Sequence, residues 1–134
     1  MSFTEALQSA YQRYFECAGR ASRAEQAYFG LYCLAGLGTF ALVDGAVFGA
    51  SLGLPPLTLI FFVVTIVPFI TVMFRRLHDT NRSGWWMLAA CVPVLGWLTL
   101  MYFFTQPGSS GVNAYGPEPL DLSQPTDFGA TPAE

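Results

Sequence analysis

The polar and apolar positions follow three different rhythms along the chain. From Phe3 to about residue 18, Phe3, Leu7, Tyr11, Tyr14 and Phe15 recur at helical spacing and leave a polar face between them. Ser2 followed by Glu5 has the form of a capping box, and Gly19 marks the end of the segment. This predicts an amphipathic helix lying in a membrane interface, with Arg13 reaching the headgroups. Three uncharged apolar runs follow: Ala27–Val43, extendable past Asp44 to Leu54, then Leu57–Phe74 and Trp85–Phe104. A bilayer core of about 30 Å takes about 20 helical residues, so each run is a candidate span. After Phe104 the rhythm is lost in a stretch rich in Pro, Gly and acids with no basic residue. Such a composition builds no core and reads as a disordered-type tail.

The expected fold is therefore an all-α integral membrane protein. Its membrane domain covers residues 1–104, with an interfacial helix at about 3–18 and three transmembrane helices at about 27–43, 57–74 and 85–104. Residues 105–134 form a Gly/Pro-rich acidic tail. Composition agrees: of 134 residues 53% are hydrophobic and only 11% charged, against roughly 25% charged in ordinary soluble domains. A soluble chain this small would lack the charge to cover its surface. The first 25 residues contain acids and no apolar core, so no cleavable signal peptide is expected.

Charge then sets the expected orientation. The basic residues are six Arg, set against nine acids, for a net charge of −3. No positive field is present to hold a polyanion, which argues against nucleic acid as a partner. Arg13, Arg20 and Arg23 precede the first run, and Arg75, Arg76 and Arg82 lie between the second and third. With three spans these regions share one side. The positive-inside rule makes that side cytoplasmic, with the C-terminus extracytoplasmic.

Three motifs stand out. Gly19-Arg20-Ala21-Ser22-Arg23-Ala24-Glu25 opens the first span. Arg75-Arg76-Leu77-His78-Asp79-Thr80-Asn81-Arg82-Ser83-Gly84-Trp85-Trp86 forms the inner loop. Pro107-Gly108-Ser109-Ser110-Gly111-Val112-Asn113-Ala114-Tyr115-Gly116-Pro117-Glu118-Pro119 follows the third run. In this order and spacing they resemble the domain of unknown function 805 family of small bacterial inner-membrane proteins, over about residues 11 to 119. Ala27 and Ala114 depart from the family pattern, which has an aromatic after the Glu and often Arg after the Asn. The resemblance implies location and architecture, and supplies no catalytic residues or cofactor.

The candidate site is an inner-face polar cluster of Arg20, Arg23, Glu25, Arg75, Arg76, His78, Asp79 and Arg82. One reading is structural: arginines anchor helix ends, the polar loop residues turn the chain, and the tryptophans form an aromatic belt. The other is functional: planar guanidinium groups free for a lipid phosphate, with His78 beside Asp79 as an acid–base pair. A lone His next to one acid is weak support, since helical neighbours point about 100° apart. Cys17, Cys33 and Cys91 lack ligand spacing, so no metal is expected. Pro68 and Pro93 should kink their spans without an accompanying charge, which disfavours ion transport. Asp44 should reach the outer interface and need no buried partner. Gly45, Gly49 and Gly53 fall four apart and predict a helix-packing stripe. The expected function is association, as an accessory subunit or assembly factor of a membrane complex or as a homo-oligomer. Membrane lipids and another membrane protein, or a second copy, are the expected partners. The alternatives are lipid or small-molecule binding through the arginines and, third, a lipid-headgroup enzyme.

Overall fold

A computed structural model describes residues 1–49 and 54–119. Its elements are α1 (Phe3–Gln12), α2 (Arg23–Phe48), α3 (Pro56–Asp79), a 3₁₀ segment (Gly84–Cys91) and α4 (Leu95–Thr105). Among the described residues there is no strand, only an isolated bridge between Asn113 and Gly116.

The capping box that starts α1 is present. The Glu5 amide donates to Ser2 Oγ at 3.3 Å, and the Ser2 amide donates to Glu5 Oε2 at 2.7 Å. The helix stops at Gln12, short of the expected residue 18. It packs on the bundle, with Ala6 and Ala10 fully buried and Ala10 seated among Phe29, Cys33 and Val72. Just beyond α1, the Tyr14 hydroxyl donates to the Val64 carbonyl at 2.7 Å. Pro68 inside α3 has no N–H for that carbonyl, so Tyr14 satisfies the group that the proline orphans.

Helices α2 and α3 have 26 and 24 residues, about 39 and 36 Å at helical rise, enough to cross a bilayer core. Many of their large apolar side chains face outward, among them Leu34, Leu42, Ile60 and Val63. Helix α3 runs five residues past the expected Phe74, because Arg75, Arg76 and Asp79 are paired and buried against the rest of the chain. At the far end Asp44 is buried rather than free at the interface. Its carboxylate accepts from the Leu57 and Thr58 amides at 3.1 and 2.8 Å and from the Thr58 hydroxyl at 2.7 Å. Asp44 thus caps α3 from another helix, where Pro55 supplies no side-chain cap.

The glycine that α2 uses against α3 is Gly36: a Cβ there would run into the Phe61 ring. Gly45 and Gly49 have open space at the same test, and Gly49 is the C-cap of α2 at φ 57°. The helical spacing of the expected stripe therefore does not continue through Gly49, and Gly53 lies outside the described residues.

The third apolar run is not the single spanning helix expected over residues 85–104. It is broken at Val92–Val94, where Pro93 interrupts the ladder and Val94 takes φ 65°. The chain then doubles back. The Gly96 amide donates to Val92 O at 3.1 Å, the Trp97 indole donates to Ala90 O at 3.1 Å, and Gly96 lies flush on the Ala89 carbonyl. At the open end Trp86 and Phe103 meet with ring centroids 5.0 Å apart. Leu77, Leu100, Phe103 and Phe104 close a second core against α3. The structure thus has two long apolar helices and one short one.

Candidate functional site

The end of α3 is where the three sequence motifs converge. Asp79 is held between two arginines. Arg20 Nε donates to its Oδ1 at 2.8 Å, and Arg76 Nη1 donates to its Oδ2. All three side chains are nearly or fully buried. Burying charge this deeply is costly unless every group is matched, and here the remaining guanidinium protons meet backbone carbonyls. Arg76 donates to Phe104 O at 3.1 Å and to Gln106 O, and Arg20 donates to Gly111 O and Ser109 O.

A second ion pair lies beside the first. Arg75 Nη2 is 3.0 Å from Glu25 Oε1, which also accepts from the Ser9 hydroxyl of α1 at 3.0 Å. The Arg75–Glu25 contact is one of charge without hydrogen-bond alignment, since none of the three guanidinium nitrogens makes a hydrogen bond within the described residues. The Arg75 carbonyl also accepts from the Ala21 amide at 3.0 Å. α1, the start of α2 and the end of α3 are joined by these contacts.

The segment after α4 completes the arrangement by capping α3. The Ser109 amide and hydroxyl donate to Asp79 O at 2.8 and 3.0 Å, and Asn113 Nδ2 donates to His78 O at 2.8 Å. Asn113 Oδ1 accepts from the Tyr115 amide at 2.8 Å, which holds the Tyr115 ring flat on His78 with centroids 4.0 Å apart. A side chain at Gly108 would occupy the space of the Asp79 carboxylate. Sequence reasoning left Ser109, Asn113 and Tyr115 out of the site. Their signal was the third motif, whose density of Gly, Ser and Asn resembles a linker until it meets the helix end.

His78 and Asp79 do not act on one another. Asp79 faces the arginines, whereas His78 Nδ1 lies 3.3 Å from the Gly19 carbonyl and the ring stacks on Tyr115. The two outlying arginines of the predicted cluster stand apart from its center. Arg23 is exposed, with Nη1 3.5 Å from Thr105 O, and Arg82 lies over the Phe103 ring at 3.9 Å. Among the described residues no group of three or more His, Cys, Asp or Glu gathers as a metal site.

Comparison with known proteins finds relatives in the inner membrane. The chain is 37% identical to the inner membrane protein YhaI of Escherichia coli over 111 residues, 83% of this chain and 92% of that protein. It is 46% identical to the inner membrane protein YhaH of the same organism over 63 residues, 47% of this chain and 52% of that protein. No solved structure matches. The family profile described as "protein of unknown function (DUF805)" matches residues 14–117, which takes in Arg20, Arg76, Asp79, Ser109 and Asn113 and all the helices after α1. Helices long enough to span, relatives in the inner membrane and a profile covering most of the length lead to one conclusion: this helical membrane protein belongs to the DUF805 family.

Proposed function

We propose that this small inner-membrane protein acts by association, as an accessory subunit or assembly factor of a membrane complex or as a homo-oligomer. The observation that carries the reading is the broken backbone inside the third apolar run. Helical bonding lapses between Cys91 and Leu95, and every residue from Cys91 to Leu95 is exposed. Irregular backbone within hydrocarbon is tolerated where protein or an aqueous cavity covers it, because lipid chains offer no hydrogen bonds. A protein neighbour over this tip supplies that cover. The proposed docking surface is accordingly the tip and not the glycine stripe.

The lipid-phosphate reading draws less support from the geometry. Arg20 and Arg76 spend their donors on Asp79 and on carbonyls, and Arg75 faces Glu25. Arg13, Arg23 and Arg82 remain for ordinary headgroup anchoring. The test is site-specific photocrosslinking in membranes, with the probe at Leu95 and, as a lipid-facing comparison, at Leu42. Protein adducts at Leu95 and lipid adducts alone at Leu42 support association. Lipid adducts alone at both positions overturn it.

A further inference from the structure

We propose that the third apolar run is a re-entrant hairpin, so that the segment after α4 emerges on the same side of the membrane as the N-terminus. This inference concerns topology and stands apart from the association reading. Its first support is length. The 3₁₀ segment has 8 residues and α4 has 11, so each leg measures about 16 Å, half of a hydrocarbon core of about 30 Å. Laid end to end, the legs would cross. Folded against each other, they reach the middle and return.

The contacts select the folded arrangement. Trp86 and Phe103 are 17 positions apart and their rings touch, and Arg82 at the start of the hairpin covers the same Phe103 ring. Arg76, at the inner end of α3, donates to the Phe104 carbonyl at 3.1 Å. The next residues then cap α3 through Ser109 and Asn113 and receive Arg20. A chain leaving on the opposite face would place those residues a full bilayer away from Asp79.

Three local features make the reversal. Pro93 supplies no amide to continue the helix, Val94 takes a positive φ, and Gly96 gives the close approach to Ala89. All six arginines then border the face on which the described tail sits, and the positive-inside rule makes that face cytoplasmic. The buried ion cluster has a role in this arrangement: Arg20, Asp79 and Arg76 hold the returning chain against the end of α3.

Single-cysteine labelling of the full chain tests the proposal. In a background with Cys17, Cys33 and Cys91 replaced by Ser, single cysteines are placed at Ser110, at Asn81 and at Leu54. A membrane-impermeant thiol reagent is added to intact spheroplasts and to lysed ones. The hairpin predicts that Ser110→Cys behaves as Asn81→Cys, labelled only after lysis, while Leu54→Cys is labelled in intact cells. A reporter fused after Glu134 of the unaltered sequence gives the second measurement, independent of any effect of the cysteines on folding. Cytoplasmic fluorescence with no alkaline phosphatase activity agrees with the proposal. Phosphatase activity there, or Ser110→Cys labelled in intact spheroplasts while Asn81→Cys is protected, overturns it.

Discussion

Arg20 and Asp79 are 59 positions apart in the chain and share a buried hydrogen bond of 2.8 Å. The bond connects the segment just before α2 to the last residue of α3. Arg76 holds the other carboxylate oxygen, so Asp79 is the one anion between two buried cations. Its removal leaves both without a counter-charge.

Asp79→Ala should therefore be among the most destabilising single changes in the protein. Truncating one member of a buried ionic group costs about 3–5 kcal/mol. Detergent-solubilised Asp79→Ala should show a large fall in unfolding temperature and poor accumulation in membranes. His78→Ala loses a ring stack on Tyr115, about 0.5–1.5 kcal/mol, and a contact with the Gly19 carbonyl but strands no buried charge, and should accumulate near normally. Equal loss in the two variants would contradict the central place given to Asp79.

Tyr14 and Pro68 should be energetically coupled. Tyr14→Phe removes the side-chain donor to the Val64 carbonyl, at about 0.5–1.5 kcal/mol for a typical hydrogen bond. Pro68→Ala restores an amide to α3 and makes the Tyr14 hydroxyl redundant. In the Pro68→Ala background, Tyr14→Phe should then cost much less. A double-mutant cycle on thermal unfolding reads the coupling directly, and additive losses would refute it.

Asp44→Ala should loosen the start of α3 while leaving its other end intact. Loss of a capping carboxylate costs about 0.5–2 kcal/mol. Hydrogen exchange should accelerate at the Leu57 and Thr58 amides, which donate to Asp44, and stay slow near Leu77. Unchanged exchange at Leu57 and Thr58 would remove the capping role.

Gly36→Leu should destabilise the α2–α3 contact, by about 1–3 kcal/mol for an overpacked site. Gly45→Leu meets open space and should leave monomer stability unchanged. Comparing the unfolding temperatures of the two variants distinguishes the glycine that packs from the one that does not. The reverse order would restore the predicted stripe.

Much of the architecture was legible in the chain. The capping box at Ser2 and Glu5, the two long apolar runs and the clustering of arginine all follow from local chemistry and length. Hydrophobic run length was less informative about the boundaries. It ended α3 at Phe74, because a charged residue at the edge of an apolar run reads as leaving the membrane. Arg75, Arg76 and Asp79 continue the helix because partners from elsewhere bury them. The glycine spacing likewise pointed to Gly45 and Gly49, whereas the close approach falls on Gly36, where Phe61 happens to face.

The sequence by itself determined that this is a helical membrane protein with its positive charge gathered at one face, because apolar length and charge placement act residue by residue. Only the tertiary structure decided that Trp85–Phe104 folds into a hairpin and that the linker-like Ser109–Tyr115 caps α3. A run of 20 apolar residues is equally long whether it crosses or turns back. The choice depends on whether Phe103 finds Trp86 and whether Asn113 finds a bare carbonyl at His78, and such pairings are made in space between residues far apart in the chain.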